Sequence, residues 1–182
     1  SAATRALGIK ESYVNYEHQY TLAKQRGMDY VTISDHNSIS EAKYLVQAHP
    51  DDTFMSCEYL VKGKPEGQDL EIVVLEIEEQ MHNELMQVKE YGPKTFTEQV
   101  RQAKRPFTLA HPGWAVQPKV KLKISDLEEW VELCDVIEGI NGDGQRENEI
   151  AQIIAKYKNK PMSGGSDDHG GIFTGLTYTV AP

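Results

Sequence analysis

Residues 29–40 read DYVTISDHNSIS, a stretch that contains a candidate strand, a polar pair and a candidate helix start. Residues 29–34 are rich in β-branched and aromatic side chains, which indicates a strand. Ser38 and Glu41 form a capping box, which predicts that a helix begins there. Between the strand and the helix lie Asp35 and His36, which offer an oxygen and a nitrogen ligand side by side. The stretch therefore predicts a strand that carries metal-binding side chains to the start of a helix.

The same order of short strand and amphipathic helix continues along the rest of the chain. The other strand-like runs are TFMSC at 53–57, LEIVVLEI at 70–77, FTLA at 107–110, CDVIEGI at 134–140 and KPMSGGS at 160–166. They are short and nearly continuous in hydrophobicity, which is typical of a buried parallel sheet. The alternation predicts the α/β class, as a barrel or an open wound sheet. We expect residues 1–182 to form one domain, since a chain of this length buries a sizeable core.

Helical patterns separate these strands. Tyr16 and Tyr20 lie on one face of a first helix that we expect to end at Gly27, because glycine suits the position after a helix. Capping boxes predict two later helix starts, at Thr95 and at Ser125. A further helix carries an apolar stripe with helical spacing, which we expect to pack into the core. The stripe consists of Ile150, Ile153, Ile154 and Tyr157.

The composition excludes several classes of function. Hydrophobic residues make up 39% and charged residues 26% of the chain, as in ordinary globular proteins. No apolar run approaches the roughly 18 residues of a membrane span. The formal net charge of −9 argues against a surface that follows nucleic-acid phosphates. Cys57 and Cys134 form no CxxC pair and are typical of reduced core cysteines, so we expect a cytoplasmic protein.

Most predicted strands run into side chains that bind metal ions. Beyond Asp35 and His36, these strand-end residues are Glu58, His111, Glu138, Asp167 and His169. In a parallel α/β barrel the carboxyl ends of all strands open on one face, so these side chains would meet in one pocket. Imidazoles and carboxylates without thiolates suit Zn, Mn or Fe. Taken singly, each residue also fits an ordinary role, such as a half-buried histidine or an aspartate that caps a helix.

Three stretches resemble the motifs of one known family. DYVTISDHNSIS, FTLAHPG (107–113) and GGSDDHGG (164–171) are similar to the second, third and fourth motifs of the PHP superfamily, the polymerase and histidinol phosphatase family of metal-dependent phosphoesterases. The resemblance implies a distorted (β/α)7 TIM-like barrel that holds up to three divalent ions at the carboxyl ends of its strands. The ligands it implies are His36, Glu58, His111, Asp167 and His169. Asp35 and Glu138 would then orient the ligating imidazoles, and we assign His36, His169 and Asp35 to the catalytic group.

Two departures from the family pattern affect the expected site. The first motif, His-x-His on the first strand, is absent, since residues 1–17 contain no histidine and no aspartate. A barrel without that strand would have exposed edges, so we expect a segment upstream of Ser1 to supply it, and three ions only in that case. Glu71 stands where the family usually has a histidine, and as a ligand it would favour Mn or Fe. Strand-end spacing alone selects Glu76 instead, and an exposed carboxylate is the alternative for Glu71.

The function implied by the resemblance is hydrolysis of a small phosphate mono- or diester by a metal-activated water. The chain has no GxSxG elbow, P-loop or CxxC motif that would indicate another mechanism. Arg146 follows a strand end and is a candidate for holding phosphate oxygens, although a solvated helix start is its ordinary role. Trp114 is a candidate wall of the pocket.

Two alternatives to phosphoesterase activity remain open. The same ligands would also support hydrolysis of a C–N bond, because they do not determine the leaving group. The absent first motif and the substituted Glu71 favour a catalytically degenerate metal-binding or interaction module. Metal content and substrate screening separate these functions.

Overall fold

The predicted alternation of strands and helices is present in the computed structural model, which describes residues 15–65, 67–114 and 120–181, without the side chains of residues 145 and 146. In this part of the chain the helices are α1 (Tyr16–Gln25), α2 (Ser40–Ala48), α3 (Glu79–Val88), a 3-10 turn (Lys89–Tyr91), α4 (Pro93–Gln102), α5 (Ile124–Leu133) and α6 (Gln145–Tyr157). The strands are β1 (Ser56–Val61), β2 (Leu70–Leu75), β3 (Phe107–Leu109), β4 (Val136–Asn141) and β5 (Met162–Gly165).

The strands form one sheet in the order β1-β2-β3-β4-β5. β3, β4 and β5 are parallel, whereas β2 runs antiparallel to both β1 and β3. The expectation of an all-parallel sheet is therefore wrong for β2. The reason lies in the short loop at 62–69, since a parallel connection needs a crossover of a dozen or more residues. The described strands and helices form an α/β fold around one five-stranded mixed sheet. The α/β class is the part of the predicted fold that is confirmed.

Residues 29–34 do not form a regular strand, contrary to the prediction. Val31 forms an isolated parallel bridge to Thr53, which precedes β1. His36, just after this stretch, forms a second one to Glu58 on β1. Hydrogen bonds between side-chain hydroxyls replace part of the backbone hydrogen bonding that a regular strand would make with β1. The Ser56 hydroxyl lies 2.7 Å from the hydroxyls of both Thr32 and Ser34. The stretch thus reaches the sheet without joining it as a strand.

The helices begin close to the predicted positions, but the predicted capping boxes do not form. α2, α4 and α5 begin at Ser40, Pro93 and Ile124, and the residue before each start makes no side-chain cap hydrogen bond. The hydroxyl of Ser38 does accept a 3.3 Å hydrogen bond from the N–H of Ser40. α1 agrees better with its prediction: it ends at Gln25, and Gly27 follows with a φ of 85°. That backbone conformation is strained for most other residues.

Only one member of the apolar stripe predicted on α6 packs against the core. Ile154 is partly buried there, whereas Ile150, Ile153 and Tyr157 are 42%, 69% and 79% exposed. Ala151 and Ala155 of the same helix are buried. α6 lies close to β4, and small alanine side chains allow that approach. The same apolar pattern therefore leaves an exposed surface on the other side of the helix.

The main core lies between one face of the sheet and the helices. Its largest fully buried members include Tyr59, Ile72, Leu85, Phe96 and Val100. Both cysteines are buried and free, as predicted. Among the described residues, no helix combines the length and apolar character needed to cross a bilayer.

Candidate metal centre

Two glutamates project from neighbouring strands on the face of the sheet opposite the core. Glu58 and Leu60 are two positions apart on β1, so they share a face. Leu60 is paired directly with Glu71 on β2. Residues directly opposite in an antiparallel pair also share a face, which places both carboxylates on the same side. Both glutamates are buried, at 7% and 6% exposure, so the reading of Glu71 as an exposed carboxylate is wrong.

Each glutamate faces the same two histidines. The Nδ1 atom of His36 lies 3.2 Å from Oε2 of Glu58 and 3.3 Å from Oε1 of Glu71. The Nε2 atom of His111 lies 3.1 Å from Oε1 of Glu58 and 3.6 Å from Oε2 of Glu71. The ligand atoms of His36, Glu58 and Glu71 all lie within 4.8 Å of one another. His36, Glu58 and Glu71 thus form a candidate three-ligand cluster, and His111 brings a second imidazole to the same two carboxylates.

His111 is held at this point by its backbone as well as by its ring. It follows β3 and has a φ of 24°, a conformation that is uncommon for residues other than glycine. Its backbone N–H donates a 2.8 Å hydrogen bond to Oε2 of Glu138. Glu138 was expected to orient a ligating imidazole, but its carboxylate binds the backbone of His111 instead. The Trp114 ring lies 5.0 Å from the His111 ring, beside the centre.

The electrostatics of the cluster favour a cation. Burial alone would lower the pKa of His111, but the hydrogen bond that its ring donates to Glu58 and the charges of Glu58, Glu71 and Glu138 raise it to about 10. Burial also raises the pKa of Glu138 to about 7. A proton on His111 thus partly balances the buried carboxylates. A divalent cation bound by these nitrogen and oxygen donors would take over that role, so the residues fit a metal ion.

A second group of predicted residues lies beside the first. Asp167 follows β5 and has a φ of 45°. Its Oδ1 atom lies 3.6 Å from Nδ1 of His169, and the ring of His169 lies 6.5 Å from the ring of His36. Burial raises the pKa of Asp167. The structure thus places Asp167 and His169 next to His36, on the open side of the centre.

Asp35 lies at the edge of the same region. Its carboxyl group has a pKa raised to about 6, first by burial and then by the charge of Glu41. Its backbone carbonyl accepts a 3.1 Å hydrogen bond from the N–H of Glu58. This bond fixes the position of the chain that carries His36 relative to β1.

One alternative from the sequence is not among the converging side chains. The strand-end candidate Glu76 is exposed and lies 4.0 Å from Arg105. The side chain of Arg146 lies outside the described part of the structure.

One further polar residue was missed by sequence analysis as a site candidate. Asn141 donates to the carboxylates of both Glu138 and Asp167. Asparagine is common in ordinary turns, so the sequence carried no signal that would have separated it from a turn residue.

Asp168 lies between Asp167 and His169 in the GGSDDHGG stretch and was a candidate for the same cluster. Its carboxylate accepts hydrogen bonds from four backbone N–H groups between residues 170 and 174 and from the Thr174 hydroxyl. It therefore holds its own loop in the structure.

The centre opens into a cleft of about 2330 Å³. Hydroxyl groups are frequent on its walls, and they belong to Thr32, Ser34, Thr108, Ser163, Thr177 and Thr179. The cleft gives small molecules access to the converging side chains.

Neither the known family models nor the curated protein sequences contain a match to this chain. Solved structures do. A two-domain protein from Bacteroides vulgatus ATCC 8482, described as containing a predicted PHP-like metal-dependent phosphoesterase, is 18% identical, with a TM-score of 0.61 over 87% of this chain and 48% of that chain. This chain therefore spans about half of that protein.

Two other solved structures share the fold over most of their length. A metal-dependent phosphoesterase homologue from Bifidobacterium adolescentis ATCC 15703 is 15% identical, with a TM-score of 0.61 over 91% of this chain and 85% of that chain. An amidohydrolase from Chromobacterium violaceum, with bound sulfate and no metal, is 13% identical, with a TM-score of 0.64 over 92% of this chain and 86% of that chain. The resemblance seen in the sequence motifs is therefore confirmed at the level of the fold, which this chain shares with PHP-like metal-dependent phosphoesterases.

Proposed function

We propose that this chain is a metal-dependent hydrolase that acts on small phosphate mono- or diesters. The observation that carries the proposal is the convergence of His36, His111, Glu58 and Glu71, in which each carboxylate faces both imidazoles. Burying two glutamates so close together costs free energy unless a cation compensates them. The solved structures of similar fold that are described as phosphoesterases support the choice of reaction.

The four converging residues would hold one divalent ion, which we propose to be Zn, Mn or Fe. When bound, such an ion would lower the pKa of a bound water and, as a Lewis acid, polarise an oxygen of the substrate. Asp167 and His169 would hold a second ion together with His36. Asp35 would orient His36, while Glu138 fixes the backbone of His111 within the centre.

The finer points of the fold are also proposals. The sheet would belong to a distorted TIM-like barrel of a single domain over residues 1–182. The net charge of −9 favours a small substrate over nucleic acid. Arg146 would hold phosphate oxygens at the mouth of the cleft.

A second candidate reaction is hydrolysis of a C–N bond. The observation that favours it is the shared fold with an amidohydrolase, at a TM-score of 0.64. The same ligands serve both reactions, since a metal ion polarises a carbonyl as well as a phosphoryl oxygen.

The test is to purify the chain without chelator, measure its metal content, and assay it with Mn²⁺ on p-nitrophenyl phosphate, bis(p-nitrophenyl) phosphate and a panel of N-acyl amides. We expect release of p-nitrophenol from one or both phosphate esters, which EDTA abolishes and which Glu58→Gln lacks. Turnover of the amides alone would favour the second candidate. Metal binding without any turnover would identify a degenerate module, and absence of metal binding would disprove the proposed centre.

A further inference from the structure

Asn141 connects the two groups of carboxylates that surround the centre. It is the last residue of β4 and only 3% exposed. Its Nδ2 atom donates to Oε2 of Glu138 at 3.2 Å and to Oδ2 of Asp167 at 3.0 Å. Glu138 in turn holds the backbone of His111. Through this amide nitrogen, Asp167 after β5 is linked to Glu138 on β4, and Glu138 is linked to His111 after β3.

The orientation of this amide is fixed by its other atom. Oδ1 of Asn141 accepts a 2.9 Å hydrogen bond from the backbone N–H of Asp143. A backbone N–H cannot accept, so the oxygen must face Asp143 and the nitrogen must face the carboxylates. Both hydrogens of the nitrogen are then used, one on each carboxylate. An amide is well suited to this place because it brings two donors without adding a charge.

The backbone of Asn141 is held separately from its side chain. The side chain of Asn148, on α6, accepts from the N–H of Asn141 at 2.7 Å and donates to its carbonyl at 2.9 Å. Asn148 thus positions the strand end without touching a carboxylate. It provides a control for any experiment on the side chain of Asn141.

The hydrogen bond from Asn141 engages only one of the two carboxylate oxygens of Asp167. Oδ2 accepts from Asn141, while Oδ1 lies 3.6 Å from Nδ1 of His169, which is hydrogen-bonded to the backbone carbonyl of Asp167 at 3.0 Å. Asn141 therefore engages one carboxylate oxygen of Asp167 and leaves the other outside its hydrogen bond. We propose that Asn141 is a positioning residue that makes Asp167 a one-oxygen ligand and keeps Glu138 on the backbone of His111. The inference rests on the proposed metal centre and extends it to a residue outside the ligand set.

The test compares three variants of the full chain with the wild type. Asn141→Asp keeps the acceptor for Asp143 but loses both donors, and Asn141→Ala loses both donors without adding a charge. Asn148→Ala removes only the hold on the backbone. Mn²⁺ affinity is measured by calorimetry, the absorption spectrum is recorded with Co²⁺ bound, and the unfolding midpoint is measured in EDTA.

We expect both Asn141 variants to bind Mn²⁺ about 10- to 100-fold more weakly, the usual loss when a partner of a metal ligand is removed. Their Co²⁺ spectra should differ from that of the wild type, because Asp167 is freed to rotate. Asn148→Ala should lower the unfolding midpoint and leave the Mn²⁺ affinity unchanged.

Wild-type Mn²⁺ affinity in either folded Asn141 variant would overturn the positioning role, and so would an equal loss in Asn148→Ala. In both cases the wild type would still bind Mn²⁺, so the proposed function would stand. If the wild type itself binds no Mn²⁺, the proposed function fails and the role of Asn141 fails with it.

Discussion

Residues that are neighbours in sequence on β1 and β2 have opposite roles, because they lie on opposite faces of one sheet. Tyr59 and Ile72 face the helices and are fully buried among apolar side chains. Glu58 and Glu71 face the cleft, where two histidines meet their carboxylates. The apolar face gains stability from burial, whereas buried carboxylates cost stability unless they are paired. Stability and the candidate chemistry are thus assigned to different faces of the same strands.

The largest expected effect is on the cleft face. Glu58→Gln should weaken Mn²⁺ binding by more than about 100-fold, since even residues that only support a ligand cost 10- to 100-fold. The unfolding transition should stay cooperative, because the core face is untouched. Calorimetric titration and urea unfolding measure the two quantities. Glu76→Gln makes the same change of charge at an exposed carboxylate and should bind Mn²⁺ normally; an equal loss there would refute the separation of the faces.

The converse change is on the core face. Ile72→Ala should lower the free energy of unfolding by about 2–5 kcal/mol, because it removes buried methyl groups and leaves a cavity. The side chain lies on the opposite face from Glu71, so the folded variant should bind Mn²⁺ with unchanged affinity. Urea unfolding and titration at low temperature check both statements. Loss of metal binding in the folded variant would show that the two faces are coupled.

The pH dependence of the free energy of unfolding, measured with and without metal, gives a further test of the difference between the two faces. The pKa of His111 is raised to about 10 and that of Glu138 to about 7 in the metal-free chain. A raised pKa in the folded state contributes stability at low pH that is lost as the pH rises through the folded value. The metal-free chain should therefore lose stability between about pH 4.5 and 7 through Glu138 and between about pH 6.5 and 10 through His111.

Saturating Mn²⁺ should remove most of this loss, because the ion replaces the proton on His111. Urea unfolding at a series of pH values, in EDTA and in Mn²⁺, provides the measurement. His111→Gln in EDTA should show a flatter profile. A metal-free profile that rises toward pH 10 would contradict the assignment.

A smaller effect is expected at Gly165, where β5 passes the centre. A Cβ atom there would lie 2.8 Å from Oε1 of Glu138, which is too close. Gly165→Ala should shift Glu138 and weaken Mn²⁺ binding by about 10-fold. At Gly170 an added Cβ would lie 3.6 Å from Asp168, an ordinary contact. Gly170→Ala is therefore the matched control, and equal affinity in both variants would show that Glu138 is not held in place.

The smallest expected effect concerns the core cysteines. Burial raises the pKa of both Cys57 and Cys134 to about 12. Neither thiol should react with a disulfide reagent at pH 8 in the folded chain, because the thiolate is the reactive form. Both should react after unfolding in urea. Rapid reaction of one thiol in the native protein would show that its side of the core is open.

Several side chains that the sequence selected lie close together in the structure, whereas the residues that hold them in place were not predicted. Strand ends identified Glu58 and His111, and these residues do meet. Glu71 came only from the family resemblance, since strand-end spacing selected Glu76. The antiparallel course of β2 could not be read from hydrophobicity, because a strand with two covered faces looks the same in either direction.

The apolar stripe on α6 shows a second feature that the sequence pattern could not predict. Helical spacing identifies an apolar face, but it does not say which face meets the sheet. Ala151 and Ala155 make the contact, and Ile153 remains exposed. Asn141 escaped notice for a different reason, because asparagine before glycine is an ordinary turn signal.

The same Asn141–Gly142 pair has a consequence for the chemical ageing of the protein. Asparagine before glycine is prone to lose ammonia when the backbone nitrogen of the glycine attacks the side-chain amide, and asparagine is among the thermolabile residues. Here that nitrogen donates a 3.0 Å hydrogen bond to the carbonyl of Gly165. The amide itself is held by two carboxylates. The folded chain therefore shields its own Asn141 from conversion to aspartate, and prolonged unfolding removes that protection.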